Sequence, residues 1–254
     1  MAVKELLAVV YLFSFCFLPS TDEINIVIYL KKPDLEAKRL LLKAINMANL
    51  YDKYVLPQIT HWVCTSSPAR KQRQKVVPHA HGRVLEIGAG SGLNLEFYDP
   101  TKVDRLFALE PSEEMWAIAR QEKDLSRMEV EFLNSYAEAI PLDDNTVDCV
   151  VTTFTMCSIP DLSAASSEMR RVLKPGGTLS CYDWMKPPGE FSERMLRWFE
   201  LEGLTYELRT AEEHLALLIE AGFADAGCRD KSDWYRRESA REYQYLQGEL
   251  RDTL

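Results

Sequence analysis

The sequence is short of histidine and of basic residues, and both shortages narrow the possible functions. Its 254 residues include four histidines, and 30 lysines and arginines stand against 39 aspartates and glutamates. The net charge of -9 argues against a general nucleic-acid binder, because such a protein needs a basic face. The length predicts one domain with extensions, and 46% hydrophobic residues are enough for a sizeable core. These features fit an enzyme with a small-molecule substrate.

Paired cysteines are also missing. None of the six cysteines stands in a C-x-x-C pair, and no histidine cluster accompanies them. The sequence therefore predicts no metal site. Cys149, Cys157 and Cys181 lie in or beside apolar runs, which is typical of buried free thiols in a reducing compartment.

The longest apolar run is too short to span a membrane. Leu6–Pro19 has the sequence LLAVVYLFSFCFLP, 14 residues, whereas a membrane-spanning helix needs about 20. The run fits a signal-peptide core, an interfacial anchor or a helix packed on the domain. A signal peptide is less favoured, because Glu5 offsets the upstream cation Lys4. Peripheral membrane contact through this run and packing on the domain remain equal alternatives.

Strand and helix patterns alternate from Arg83 onwards. Short apolar runs predict five strands, and periodic runs predict the helices between them. The strands are expected at 84–87, 105–110, 128–133, 147–153 and 178–184, and the helices begin at 93, cover 113–121 and 161–173, and include 214–222. This alternation predicts an α/β fold: a mostly parallel twisted sheet with helices on both faces. The segment FADAGC, 223–228, is a candidate sixth strand, and no last antiparallel strand is visible.

Several smaller expectations concern the ends of this pattern. The stretch SSPARKQRQKVV, 66–77, reads as a solvated basic linker, and KPGG, 174–177, as the turn into the fifth strand. Ser112 is expected to cap a helix, and Thr210 with Glu213 to form a capping box. His214 is expected at the surface of the following helix. Trp234 and its aromatic neighbours fit either a packing face or a cap on a substrate pocket.

The stretch RVLEIGAGSGLNLEFY, 83–98, places an acid and three alternating glycines after the first strand. It lacks the lysine and hydroxyl of a P-loop, and Leu93 stands where a dinucleotide loop needs its third glycine. The remaining alternative is S-adenosyl-L-methionine, which has no pyrophosphate and carries ammonium and sulfonium cations. Glu86, just before the glycines, suits those cations.

Glu110 ends the second strand, 20 residues after Gly90. An acid there can accept hydrogen bonds from both ribose hydroxyls of a nucleoside cofactor. Dehydrogenases use the same arrangement, so Glu110 alone does not separate the two cofactors. The combination with Glu86 and the glycine spacing favours S-adenosyl-L-methionine over a nicotinamide dinucleotide.

The segment from about Tyr51 to Trp184 resembles the class I S-adenosylmethionine-dependent methyltransferases of the ubiquinone-biosynthesis-like group. LEIGAGSG, ALEPSEEM, VVTTFTMCSIPD and EMRRVLKPGGTL carry the resemblance. LYDKYVLPQI, SGLNLEFYDP and TMCSI are most similar to the methyltransferase-like thiol S-methyltransferases. The resemblance implies a Rossmann-like methyltransferase fold.

The part that begins at CYDWMKPPGEF is similar to phosphoethanolamine N-methyltransferases. That family carries an aspartate and a histidine after the fourth strand, where this sequence has Phe154 and Ser158. A phosphobase acceptor is therefore not expected, although Asp183, Tyr206 and Arg209 fit a polar pocket.

The resemblance also implies which residues bind the cofactor. The implied set is Glu86, Gly88, Ala89, Gly90, Gly92, Asn94, Glu110, Pro111, Ser112, Met115, Tyr136, Ala137, Thr153 and Phe154. The adenine loop of the group usually reads D-A-E, and here Tyr136 replaces the aspartate, so the backbone of Ala137 is left to bind the adenine. Asp183 after the fifth strand and Tyr51 on an N-terminal lid are the catalytic candidates.

We expect a methyltransferase that acts on a small molecule, by S-methylation of a thiol or N-methylation of an amine with in-line transfer. The alternative is a non-catalytic cofactor-binding or membrane-tethered interaction protein. The expected division is an N-terminal extension (1–50), a methyltransferase domain (51–230) and a C-terminal helical tail (231–254). Because the cofactor is an intracellular metabolite, we expect a cytoplasmic location or a membrane association that faces the cytosol.

Overall fold

The computed structural model describes residues 61, 64–187, 189–193, 196, 207–238, 240–241 and 244. Thr65–Glu238 form one compact unit, and Met1–Cys64 with Ser239–Leu254 form another. The apolar run Leu6–Pro19 and the candidates Tyr51 and Tyr206 lie outside the described residues. None of the helices in the described residues is both long and apolar enough to cross a membrane.

The larger unit is built on a five-stranded parallel sheet. Its strands are β1 (Gly82–Ile87), β2 (Val103–Leu109), β3 (Val130–Leu133), β4 (Val147–Thr153) and β5 (Leu173–Tyr182). The helices whose full extent lies in the described residues include α1 (Ser67–Val76), α2 (Glu113–Glu122), α3 (Leu162–Val172) and α4 (Ala211–Glu220). The five predicted strands are thus present, and the predicted α/β class is confirmed.

The strand order β3-β2-β1-β4-β5 reverses direction at β1. All four neighbouring pairs are parallel, so the carboxyl ends of the strands share one edge of the sheet. Glu86 pairs with Ala108 on one side and Val151 on the other. The end of β1 therefore lies at the switch point, where ligands bind in sheets of this kind.

The core fills both faces of the sheet, because successive strand residues point to opposite sides. Leu85, Ile87 and Val150 belong to one buried cluster, whereas Val84 and Val151 belong to another. Cys149 and Cys157 are buried free thiols, as predicted. Among the described residues, no group of three potential ligands is placed to hold a metal ion.

The helix starts follow the capping residues that the sequence contains. The Ser112 hydroxyl accepts from the Met115 N–H at 3.1 Å, which confirms the predicted cap of α2. Thr210 and Glu213 form the predicted capping box at the start of α4. Asp161 caps α3 in the same way, by accepting from Ala164.

The predicted linker SSPARKQRQKVV is wrong, because most of it is helix α1. Pro68 stands in the first turn, where its missing N–H costs nothing. Gln72 and Arg73 are buried, at 2% and 5% exposure. The basic composition of this segment gave no indication that it forms a helix with one buried face.

The helix predicted to begin at residue 93 is also absent. Residues 90–94 form turns, and a short 3-10 turn, Leu95–Phe97, follows. The KPGG segment lies inside β5, where the pairing jumps from Val147–Leu173 to Cys149–Thr178. The intervening residues form a bulge rather than a turn before the strand.

Two further predictions near the C-terminus are wrong. Residues 223–228 form no strand, and Asp225 adopts a φ of 55°, which interrupts an extended backbone. His214 is 2% exposed rather than at the surface. It lies one turn before Leu217 and Leu218, which pack against the core, so it shares their inward face.

Candidate active site

The glycine loop after β1 is tied to the end of β2. The N–H groups of Gly88 and Ala89 donate to the Leu109 carbonyl at 2.9 and 3.1 Å. Gly88 has a φ of 68°, and a Cβ there would lie 2.4 Å from the Thr155 side chain. The first glycine is therefore required for close packing against the loop after β4.

Gly90 has a different role in the loop. Its φ is 52°, and the nearest side-chain atom to a Cβ built there is Met115 Cε, at 3.4 Å. Its N–H donates to Glu110 Oε2 at 2.9 Å. A Cβ at Gly90 would therefore make ordinary van der Waals contacts without a clash, so the backbone is less crowded there than at Gly88.

Glu86 is buried below the loop and holds it from within. Tyr98 donates its hydroxyl to Oε2 at 2.9 Å, and Asn94 Nδ2 donates to Oε1 at 2.9 Å. Asn94 Nδ2 also lies 3.0 Å from the hydroxyl of Thr153. Burial raises the pKa of Glu86 to about 7, against the opposing hydrogen bonds and the nearby charge of Arg73.

Glu110 closes the loop from the β2 side. Its Oε2 accepts from Gly90, and its Oε1 accepts from the Ser112 N–H at 2.9 Å. Burial raises the pKa of Glu110, and these two N–H groups oppose that shift. Each carboxylate oxygen can accept about two hydrogen bonds, so each keeps one position for a ligand hydroxyl.

The loop after β3 presents two further predicted cofactor residues, Tyr136 and Ala137. Tyr136 is 66% exposed, while Ala137 is buried. The Ala139 N–H donates to the Tyr136 carbonyl at 3.1 Å, which closes a tight turn. The Tyr136 ring therefore stands at the surface, free to lie against a flat group such as a purine.

An unusual backbone conformation follows β4. Phe154 has a φ of 58°, rare for an aromatic residue, and its N–H donates to the Tyr182 carbonyl at 2.8 Å. Its ring lies 5.1 Å from Tyr182 and 5.9 Å from Trp184. Such backbone strain, about 1–3 kcal/mol, is most often kept at functional sites.

Asp183 is turned toward the loop after β4. Its Oδ2 accepts from the N–H groups of Thr155 and Cys157 at 3.0 and 3.3 Å, and its Oδ1 accepts from Trp184 at 2.7 Å. Burial raises the pKa of Asp183. Burial next to Asp183 also raises the pKa of the Cys157 thiol, which therefore stays protonated. These contacts brace the loop, and a catalytic role for Asp183 stays a prediction.

Arg73 and Tyr98 are site residues that the sequence did not reveal. The Arg73 guanidinium lies 4.9 Å from the centroid of the Phe154 ring, and its charge lowers the pKa of Glu86. Tyr98 binds Glu86 directly. The proline in the first turn of α1 was a signal for the helix, whereas nothing in the sequence marked Tyr98.

The predicted cofactor residues thus come from four loops at one edge of the sheet. The loops after β1 and β2 are joined through Gly90 and Glu110, and the loops after β1 and β4 through Asn94 and Thr153. Ser112 uses its hydroxyl to cap α2, so its contact with a ligand would be through other atoms. Pro111 and Met115 adjoin these groups in the sequence. Tyr51 lies outside the described residues.

This part of the chain is similar to known proteins. Residues 85–181 match a family model described as a methyltransferase domain. A ubiquinone/menaquinone biosynthesis C-methyltransferase of Geobacter sulfurreducens is 29% identical over 177 residues, which cover 59% of this chain and 68% of the relative. A phosphoethanolamine N-methyltransferase of Triticum aestivum is 28% identical over 161 residues, which cover 63% of this chain and 31% of the relative.

A solved structure supports the fold. Phosphoethanolamine N-methyltransferase 2 of Haemonchus contortus, in complex with phosphomonomethylethanolamine and S-adenosylhomocysteine, matches with a TM-score of 0.62 at 20% identity. The match covers 72% of this chain and 44% of that one. This chain accordingly spans less than half the length of the two phosphoethanolamine methyltransferases that it matches.

Proposed function

Because residues 85–181 match the methyltransferase domain family, we propose that the chain transfers a methyl group from S-adenosyl-L-methionine to a small molecule. The observation that carries this proposal is the loop after β1. It presents the glycine backbone at Gly90, which no side chain crowds closer than 3.4 Å, and two buried acids, Glu86 and Glu110, at the switch point of the sheet. The domain needs no metal for this chemistry, since the leaving sulfide departs neutral.

The loop suits a cofactor without phosphate. A pyrophosphate is usually bound at the N-terminus of an α-helix, where N–H groups and the helix dipole favour anions. Here turns and the 3-10 turn Leu95–Phe97 follow the glycines instead. Two acids beside the loop would repel phosphate, whereas they attract the ammonium and sulfonium cations of S-adenosyl-L-methionine.

We place the ribose on Glu110, since each of its oxygens keeps one acceptor position. Glu110→Ala removes the two charge-assisted bonds to the ribose and the bonds to Gly90 and Ser112. We expect cofactor affinity to weaken by about 1–3 kcal/mol in calorimetry. Unchanged affinity in the Glu110→Ala protein would show that the ribose binds elsewhere.

We propose that the acceptor binds at the ends of β4 and β5 and that it is a thiol rather than an amine. The buried Arg73 guanidinium already occupies the Phe154 ring, and the bound cofactor adds a sulfonium. An amine must lose its ammonium proton before it can attack, whereas a sulfonium beside a thiol lowers the pKa of that thiol. A thiolate needs no further activation, and in-line alignment at about 3–3.5 Å supplies most of the acceleration.

Asp183 acts in this scheme chiefly as a positioning residue. Its carboxylate binds three backbone N–H groups and so fixes the loop that carries Phe154 to Cys157. A proton-transfer role would require it to leave these partners. If Asp183 is a general base, Asp183→Asn removes a limb of the pH profile of kcat; a positioning residue leaves the profile in place.

The experiment that tests the function combines binding and turnover. Calorimetry with S-adenosyl-L-methionine, S-adenosylhomocysteine and NAD measures which cofactor binds. Production of S-adenosylhomocysteine with pooled thiols and pooled amines then measures methyl transfer. We expect binding of both sulfur cofactors, none of NAD, and turnover with thiols. Binding without turnover on any acceptor would favour a non-catalytic cofactor-binding protein, and turnover with amines alone would exclude the thiol.

A further inference from the structure

The aromatic side chains beyond β4 and β5 form a continuous chain of ring contacts. Phe154 lies 5.9 Å from Trp184 with the rings tilted by 48°. Trp184 lies 4.6 Å from Tyr235 with the rings nearly perpendicular, at 79°. Trp184 is 38% exposed, which is high for so large an apolar side chain. An exposed indole beside a binding site offers a contact surface for a flat or apolar group.

This chain of rings adjoins the proposed cofactor site. Phe154 directly follows Thr153, whose hydroxyl lies 3.0 Å from Asn94 Nδ2 in the glycine loop. On its other side, Phe154 contacts the Arg73 guanidinium of α1. The rings therefore extend from the cofactor loop toward Tyr235.

Tyr235 belongs to a helical segment, 232–238, that two contacts fix to α1. Lys71 pairs with Glu238, and the Lys75 ammonium lies 4.2 Å from the centroid of the Trp234 ring. The two lysines are four residues apart, as are their two partners, so one face of each helix makes the contacts. The Glu238 side chain is 13% exposed, so solvent screens this ion pair less than it would a fully exposed one.

We infer that Trp184 and Tyr235 form a wall of the acceptor site and select an acceptor with a flat or apolar body. The 232–238 helix positions this wall through its contacts with α1. The inference rests on the proposed function, because the acceptor is the molecule that receives the methyl group. The two rings set the shape of the body attached to the reacting group.

Two thiols that differ in the body provide the test. Phenylmethanethiol has a flat apolar body, and 2-mercaptoethanol has a small polar one. Their dissociation constants are measured by calorimetry on protein saturated with S-adenosylhomocysteine, and their KM values in the methyl-transfer assay. We expect the wild type to prefer phenylmethanethiol by about tenfold or more. Trp184→Ala and Tyr235→Ala should remove most of that preference and leave the affinity for S-adenosyl-L-methionine within about twofold.

Further variants distinguish a loss of acceptor selectivity from a loss of folding. Tyr235→Phe keeps the ring and should behave as the wild type. Glu238→Lys places two cations together and should weaken phenylmethanethiol binding, whereas Lys71→Glu combined with Glu238→Lys should restore it. Ile219→Ala, an exposed site on α4, is the matched control and should change nothing.

Two results are distinguishable. A wild type that binds neither sulfur cofactor overturns the proposed function. A wild type that binds the cofactor but shows no preference between the two thiols, or binds neither of them, overturns only the inferred wall. An unchanged preference in both Trp184→Ala and Tyr235→Ala has the same consequence.

Discussion

At the scale of single residues, the three glycines of the loop are required for different reasons. Gly88 avoids the Thr155 side chain, and Gly92 avoids Leu95, whose Cδ1 would lie 2.6 Å from a Cβ. Gly90 has the most space around it, although its φ of 52° still disfavours other residues. Gly90 is therefore the position of the three at which a ligand meets the least obstruction when it contacts the backbone.

Gly90→Val is expected to abolish binding of S-adenosyl-L-methionine in calorimetry. The valine side chain would fill the space beside the Gly90 backbone. At positive φ it would also strain the backbone by about 1–3 kcal/mol. Gly227→Ala is the control, because a Cβ there meets no atom within 4 Å. A Gly90→Val protein that keeps its cofactor affinity would contradict the placement of the cofactor on this loop.

Glu86 predicts a pH dependence of cofactor binding. Its pKa is raised to about 7 by burial, so its protonated form predominates below that pH, and the positively charged cofactor favours the ionised form. If only the ionised form binds, affinity should rise about tenfold between pH 6 and pH 8. Tyr98, Asn94, Arg73 and Glu110 also act on this carboxyl and set its pKa.

Calorimetry in buffers of different ionisation enthalpy measures the proton released by Glu86. Glu86→Gln keeps the shape of the side chain and should remove both the pH step and the proton release. In the protein without cofactor, the raised pKa of Glu86 has the opposite effect: it lowers the free energy of unfolding as the pH rises. The contribution of Glu86 to the free energy of unfolding is complete below about pH 4.5 and is lost as the pH rises through about 7.

At the scale of elements, the strands were predictable and some of their connections were not. Residues 84–87 and 147–153 are short apolar runs between turns, and such runs form buried strands in almost any surrounding. The turns at 90–94 resemble a helix start in sequence, but the two positive-φ glycines and the bonds from Asn94 to Glu86 and Thr153 hold them open. Contacts between residues that are distant in the sequence therefore determine the conformation of these turns.

Helix α1 is a clearer example of structure that local sequence patterns do not predict. Its sequence is polar, and Arg73 looks like any surface arginine. It is buried, and its guanidinium lies 4.9 Å from the centroid of the Phe154 ring, which follows β4. That contact joins residues 81 positions apart, so the local pattern contained no sign of it.

The loop after β3 depends on α3 for its position. Arg171 donates to the carbonyls of Ile140 and Leu142 at 2.9 and 2.8 Å, and also to Glu168 and Asp144. Glu168 in turn accepts from the Ile140 N–H at 2.9 Å. One guanidinium therefore joins the helix to the loop that presents Ala137.

Arg171→Lys is expected to lower both stability and cofactor affinity. A lysine keeps the charge but cannot supply the planar set of donors, so buried carbonyls lose partners, at about 1–3 kcal/mol. Thermal unfolding and calorimetry measure the two effects. Arg120→Lys, at an exposed position on α2, is the matched control. If Arg171→Lys unfolds and binds as the wild type does, the guanidinium does not position this loop.

At the scale of the whole molecule, the bound cofactor should stabilise the fold. A ligand at 100 times its dissociation constant adds about 2.7 kcal/mol to the free energy of unfolding. For a unit of this size, that raises the melting temperature by roughly 5–10 °C. S-Adenosyl-L-methionine and S-adenosylhomocysteine should both give this shift, and NAD should give none. A shift of the melting temperature with NAD would instead support a nicotinamide dinucleotide as the cofactor.

The two proposed halves of the site are completed at different times as the chain is made. The hydrogen bonds from the glycine loop join residues between Glu86 and Thr153. Arg171 and Tyr182 then complete the cofactor half, because they bind the loops after β3 and β4. The acceptor wall needs Tyr235 and the pairing of Lys71 with Glu238, 167 positions apart. A nascent chain therefore completes its cofactor half at Tyr182, roughly 50 residues before Tyr235 allows it to discriminate among acceptors, and ligand-assisted folding would proceed from the amino-terminal side.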